Sequence, residues 1–330
     1  MSGFFSRNGR FGSAVLCAAV LAMVVFQMPG AAQNIGRVGE DASLTYAKGQ
    51  AVVPVFHGWS ENPDGTFDMH FSYINRNWQE HLDIPVGANN NISPAPFGPD
   101  GGQPTHFFPR INRWQFKVRV PKDFGTKEMV WTLTSKGETN RAFGTLNPGY
   151  AIDDFLMMHE FGNSQRGRKG PTVTVEGPKQ RTVKVGQPVP LAAVAQESPT
   201  AAPAGRGGGG RAGGPTGPVT EIRAGGVGGD FVRGTARGLR LAWYVFRGPS
   251  ERVVERVVEG VVFTPPMFKV WEDQRGGSPW SPGWQPPPVP AGNRWVHTVT
   301  FKNPGTYVLR AQAHDGFQFA NEDITFTVTQ

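Results

Sequence analysis

Between Arg113 and Val120 the chain alternates strictly, with Trp114, Phe116, Val118 and Val120 set against Arg113, Gln115, Lys117 and Arg119. A helix returns to the same face every three or four residues and a strand every two, so this stretch is predicted to be a strand with one buried face. The period recurs from Phe67 to Tyr73, where Phe67, Met69, Phe71 and Tyr73 oppose Asp68, His70 and Ser72. Asn62-Pro63-Asp64-Gly65 before it has turn composition, and Asn75-Arg76-Asn77 ends the alternation. A third strand is predicted at Met129, Trp131 and Leu133, with Val130, Thr132 and Thr134 opposite. Ala51–Phe56 carries Pro54, which would interrupt a central ladder, so it is expected at an edge or as irregular chain. Each large apolar side chain buried contributes about 1.5–3 kcal/mol, so a few such strands suffice for a core. From Gln33 to Gly170 only Ala151–Phe161 has the pattern of a short helix, and the first part of the chain is predicted to be mainly β.

At 330 residues the chain exceeds the usual size of one domain, and two are expected. Arg7 and Arg10, the apolar run Ala14–Phe26, then Pro29 and Gly30-Ala31-Ala32 have the three-part layout of a secretory signal peptide, with cleavage expected after Ala32. The run is shorter than the roughly 20 apolar residues that span a bilayer, and no later stretch approaches that, so no membrane span is expected after cleavage. The division predicted is 1–32 signal peptide, 33–168 first β-sandwich and 169–330 second β-sandwich.

The single cysteine, Cys17, lies inside the leader, so disulfides, thiolate-bound metals and cysteine nucleophiles are excluded from the mature chain. The formal charge of +7 becomes +5 once Arg7 and Arg10 are removed, and bases are interspersed with acids, as at Lys122-Asp123 and Glu251-Arg252. That pattern gives no basis for a nucleic-acid partner.

The second half opens with Thr172–Gly177 and Thr182–Gln187, read as the first strands of an Ig-like fold after the junction Gly162–Gly170. Residues 197–238 turn Gly-, Ala- and Pro-rich around Arg206–Arg211, too poor in apolar surface to offset ordering entropy, and are predicted to be a disordered insertion. Leu239, Leu241, Trp243 and Val245 restart the alternation, placing Trp243 between the sheets. The tandem Arg252-Val253-Val254-Glu255 and Arg256-Val257-Val258-Glu259 is read as strand or hairpin. The chain closes with strands at 293–301, around Tyr307–Ala313 and at 323–328.

The series Phe71-Ser72-Tyr73-Ile74-Asn75-Arg76-Asn77, Pro85-Val86-Gly87-Ala88-Asn89-Asn90, Gly102-Gln103-Pro104-Thr105-His106-Phe107, Phe116-Lys117-Val118 and Trp131-Thr132-Leu133 resembles a β-sandwich module of secreted bacterial surface proteins, marked by F-x-Y-x-N-x-N, P-x-G-x-x-N, GQP-x-x-F, F-x-V and W-x-L. The match runs from about Gly58 to Thr145, and His106 and the Lys122–Lys127 connection depart from the pattern. Pro304-Gly305-Thr306-Tyr307-Val308-Leu309, then Ala313-His314-Asp315-Gly316 and a final Ile-Thr-Phe-Thr-Val strand resemble PKD and related Ig-like domains. These resemblances imply a seven-strand type of sandwich at the C-terminus and a structural or adhesive role without inherent chemistry.

Five of the seven histidines, His57, His70, His81, His106 and His159, fall in the first half. None is paired at a spacing that sets two imidazoles on one face, and there is no H-E-x-x-H. Asp68 and His70, with Ser72, share the polar face of one strand and form the best single constellation for metal or acid–base chemistry, with a solvated strand face as the plainer reading. Asn75, Asn77, Asn89 and Asn90 can bind a cation or sugar, or serve turns. Asn62-x-Asp64-Gly65 lacks the closing glutamate of a calcium loop and reads as a hairpin turn. Trp280 and Trp284, near Trp271 and Trp295 in a Pro-rich stretch, either cover the sandwich or form a recognition patch for a glycan.

The sequence thus predicts an all-β, exported protein of the envelope or extracellular space, of two Ig-like sandwiches, non-catalytic and without cofactor. The partner expected is another envelope or secreted protein or a glycan. The binding candidates are Asp68, His70, Asn75, Asn77, His106, Trp280 and Trp284. The competing readings are a carbohydrate-binding accessory protein using the loop tryptophans, and a metal-binding or hydrolytic protein using the first-half histidines.

Overall fold

The computed structural model describes residues 46–160, 167–198, 238–249, 260–268 and 286–330. The leader, most of the Gly-rich stretch, the Arg-Val-Val-Glu tandem, and Trp271, Trp280 and Trp284 lie outside the described residues. What is described is all-β apart from a short helix, α1 (Asp154–Glu160), within the predicted helical stretch, and two single-turn 3₁₀ segments.

In the first half, β1 (Val52–Glu61), β2 (Phe67–Asn75) and β6 (Arg110–Val120) form an antiparallel sheet in the order β1-β2-β6. Facing it is β4 (Asn90–Ser93), β7 (Met129–Ser135) and β8 (Glu138–Gly144), in the order β4-β7-β8. A two-stranded ladder, β3 (Leu82–Asp83) with β5 (His106–Phe107), lies in the long connection. Pro54 sits on β1, an edge strand, where a missing N–H costs no central hydrogen bond. Met69, Phe71, Tyr73, Phe116, Trp131 and Leu133 are buried between the sheets, with the Phe116 and Trp131 rings edge to face at 4.8 Å. Gly58 sits at a bulge of β1 with φ +140°, where a Cβ would lie 2.4 Å from the Tyr150 carbonyl oxygen. Only glycine permits that approach, and it lets Trp59 bridge to Ala151.

The predicted alternation of β6 fails at one point. The ladder between β2 and β6 shifts between Phe71 and Tyr73, and Trp114 takes a left-handed backbone with φ 54°. The extra residues swing its indole onto the rings of His57, at 4.4 Å, and His70, at 5.8 Å, away from the face that Phe116 buries. The Ser72 hydroxyl accepts the Trp114 backbone N–H at 2.6 Å and holds the bulge.

In the second half, one sheet has β9 (Thr172–Val175), β11 (Val189–Gln196), β13 (Val261–Thr264) and β14 (Arg294–Phe301), ordered β13-β14-β11-β9. The other has β10 (Gln180–Lys184), β12 (Arg240–Arg247), β15 (Gly305–His314) and β16 (Phe319–Thr329), ordered β10-β16-β15-β12. This is the Ig-type arrangement of an ABED sheet over a GFC sheet. Eight described strands replace the seven expected, because the opening strand is split: β9 pairs antiparallel with β11, and after Gly177 (φ +81°) the chain crosses to pair β10 parallel with β16. Trp243 is fully buried between the sheets, and the Tyr307 hydroxyl donates back to the Asn303 carbonyl.

The two halves share core. Leu241, Trp243 and Val245 of β12 face the second sandwich, while Ala242, Tyr244 and Phe246 belong to the buried cluster of the first. Residues 46–330 accordingly form one compact unit.

Candidate functional site

The polar face of β2 is not solvated, which corrects the plainer expectation for it. Asp68 is 2% exposed, His70 9% and Ser72 1%, because the displaced Trp114 and the side chains of β6 cover that face. Asp68 receives Lys117 Nζ at 2.5 Å and Arg119 Nε at 2.9 Å. Burial pushes its carboxyl upward, but the hydrogen bonds from Arg119, Lys117 and Asn62 outweigh that and hold it well below the usual carboxylate range. His70 Nε2 lies 2.8 Å from Ser60 Oγ. Burial, aided by the nearby Lys117 ammonium, pushes its pKa down to about 4, so at neutral pH it is an uncharged partner of a serine.

Asn75 and Asn77 are completely buried. Asn75 Nδ2 donates to the carbonyls of Glu80 and Phe107, and its Oδ1 accepts both the backbone and side-chain N–H of Asn77. Asn77 in turn bonds both backbone groups of Gln50. Asn90 repeats the device: Nδ2 donates to the carbonyls of Ile84 and Pro104, and Oδ1 accepts the Trp131 indole N–H at 3.0 Å. Gln103 Nε2 donates to the carbonyls of Asn90 and Pro99. The long connection from residue 76 to residue 109 has few ladder partners, and buried backbone groups need hydrogen bonds from somewhere. Asn75, Asn77, Asn90 and Gln103 supply them.

His106 does not join Asp68 and His70. It pairs across the β3–β5 ladder with Asp83, its Nδ1 2.7 Å from Asp83 Oδ1, and its Nε2 lies 3.1 Å from His81 Nδ1. His106 is buried against the edge of Phe108, and His81 is partly exposed. Spacing in the sequence missed this pair, since 25 residues separate its members. The one hint was that His81 stands shortly before the Pro85–Asn90 segment and His106 inside the Gly102–Phe107 segment.

A further polar assembly lies where the two halves meet. Arg310 of β15 is 7% exposed, with Nε and Nη2 on the two carboxylate oxygens of Asp323 at 2.7 and 2.8 Å. Its Nη1 donates to the Gln115 carbonyl of the first half at 2.5 Å, and the guanidinium lies 3.5 Å over the Phe246 ring. The edge of β12 is covered by the connection of the first half: Thr105 N–H donates to the Phe246 carbonyl, and Arg247 bonds the Gln103 carbonyl and both oxygens of Asp100. At the turn after β15, Asp315 caps the N–H groups of Phe317 and Gln318 and pairs with Arg168 at 2.7 Å. On the surface, Trp78 is 43% exposed with the Arg110 guanidinium 3.7 Å over its ring, and Tyr46 is exposed beside it.

Among the described residues, no group of three or more His, Cys, Asp or Glu is placed to hold a metal, and no helix is long and apolar enough to cross a membrane. The fold and this set of internal polar clasps define an all-β protein of joined sandwiches. No family model matches the chain, and no curated protein matches it. Similar solved structures include a chimeric titin Z1Z2, 10% identical over 85% of this chain and 100% of that one, with a TM-score of 0.22. The Yersinia pseudotuberculosis adhesin InvE is 10% identical over 88% and 61%, with a TM-score of 0.21, and the D00-D0 domain of intimin is 9% identical over 84% and 100%, at 0.22. Superpositions this loose carry no argument about function, so the Ig-type description rests on the strand order and the motif resemblances on their own residues.

Proposed function

We propose that the chain is exported, loses residues 1–32, and acts as a non-catalytic structural or binding protein of the envelope or extracellular space, with sandwiches at 33–168 and 169–330 joined into one stiff body. The observation that carries this reading is the junction, where Arg310 and Arg247 tie the halves together and β12 contributes side chains to both cores. A buried, bonded junction fixes the angle between modules, which suits a spacer or a composite binding surface. The reading is also supported by the Asn and Gln side chains of the motif being engaged by the chain's own backbone. The hydrolytic alternative has less support, since Asp68 and His70 are taken up by neighbours on their own sheet and His106 by Asp83. The test is fractionation of producing cells after treatment with a cross-linker. The expected product begins at Gln33, lies outside the cytoplasm and is cross-linked to an envelope protein or glycan. Full-length chain confined to the cytosol would remove the proposal.

A glycan partner has one specific observation in its favour, the exposed Trp78 ring backed by Arg110, since an exposed indole stacks on sugar rings. The candidates Trp280 and Trp284 lie outside the described residues. Glycan-array binding that Trp78→Ala abolishes would support this partner class, and an array with no bound sugar would remove it.

A further inference from the structure

We propose that His81 and His106 form a binding site for a divalent transition-metal ion, with Asp83 fixing His106 from behind. The Asp83 carboxylate accepts the N–H of His106 Nδ1 at 2.7 Å, which leaves the His106 Nε2 lone pair to accept the hydrogen of His81 Nδ1, 3.1 Å away. A carboxylate behind an imidazole is the arrangement that orients a metal-ligating histidine and raises its basicity. With metal–nitrogen bonds of about 2.0–2.1 Å, two imidazole nitrogens lie about 2.9 Å apart at a right angle and about 3.4 Å apart at a tetrahedral one. The 3.1 Å separation falls between those values, so a small rotation of the partly exposed His81 admits the ion. In doing so the hydrogen on His81 Nδ1 passes to its Nε2, both rings stay neutral, and the metal takes the place of the shared hydrogen.

The framework is built before any ion arrives. Asp83 and His106 face each other in the β3–β5 ladder, and β5 is held by Asn75 Nδ2 on the Phe107 carbonyl and by the Tyr73 hydroxyl accepting the Phe108 N–H. Rigid ladder positions set ligand geometry better than loops do. No third His, Cys, Asp or Glu among the described residues completes the set, so water fills the remaining positions and the site is open. Two imidazoles and water suit Cu²⁺, Ni²⁺ or Zn²⁺ and not Ca²⁺ or Mg²⁺. This does not depend on the envelope role proposed above, and fractionation and metal titration can fail separately.

The experiment is calorimetric titration of the tag-free, EDTA-stripped full chain with Cu²⁺ and Zn²⁺, with bound metal counted after gel filtration. One equivalent per chain is expected. His81→Ala, at a partly exposed position, should fold with an unchanged circular-dichroism spectrum and bind at least tenfold more weakly, and Asp83→Asn should weaken binding ten- to a hundredfold. His159→Ala, at an exposed residue of α1, should bind as the parent does. A parent chain that retains no metal, or a His81→Ala chain that binds as tightly as the parent, overturns the site.

Discussion

His70 is buried beside the Trp114 ring and within hydrogen-bonding distance of Ser60, and burial drives its pKa down to about 4. In the unfolded chain a histidine titrates near 6.5. Between those values the unfolded chain binds a proton that the folded one refuses, so stability rises with pH across that window and is lost as pH falls. The contribution lost at this one residue is on the order of 3 kcal/mol. His57, His297 and His314 are shifted in the same direction by burial, so His70→Gln should flatten the slope between pH 6.5 and 4 without abolishing it. Urea midpoints measured every half pH unit would show this; a parent midpoint that is constant across the window would contradict it. Asp68 extends the acid sensitivity lower. Its depressed carboxyl stabilises the fold above about pH 4, and that stabilisation is lost as pH falls further.

At the scale of elements, the connection from β2 to β6 has little regular pairing and is held by side-chain amides. Removing the Asn90 amide leaves the Trp131 indole N–H and the carbonyls of Ile84 and Pro104 without their partner inside the core. Each such group costs about 1–3 kcal/mol when stranded, so Asn90→Ala should destabilise by about 3 kcal/mol or more. Amide exchange should then quicken at Ile84, whose N–H donates to the Thr105 carbonyl beside the lost clasp. An Asn90→Ala chain within about 1 kcal/mol of the parent would mean that water replaces the amide at little cost. The short β3, β4 and β5 escaped the sequence reading, while the flanking β2 and β6 were legible as hydrophobic periods. The role of Asn75, Asn77, Asn90 and Gln103 was not, because an Asn in a turn-rich stretch suits a left-handed turn, a ligand or a carbonyl clasp equally well.

For the whole molecule, the central expectation is that residues 46–330 unfold together. Arg310 binds Asp323 in its own sheet and the Gln115 carbonyl in the other half, so Arg310→Met should lower stability and uncouple the halves. Breaking a fully buried pair costs about 3–5 kcal/mol, and because Asp323 keeps a 38% exposed side chain the expected loss is nearer about 2 kcal/mol. Calorimetry should show one transition for the parent and two for the variant. Two transitions already in the parent would show that the shared core does not couple them.

The sequence alone determined that the described part of this chain is mainly β, because period-two alternation over Phe67–Tyr73, Met129–Leu133 and Leu239–Val245 is local and admits no helix there. It also located Trp243 in a core, in phase with Leu241 and Val245, and no bulge breaks the ladder between them. The tertiary structure alone decided the rest. A bulge turned Trp114 onto His70 and buried a face that alternation leaves to water, and a ladder between residues distant in the chain set His81, Asp83 and His106 together. The face of β12 bearing Ala242 and Tyr244 became interface because a second sandwich was there to cover it. Each of these depends on which distant segment packs alongside, and local periodicity carries no record of that.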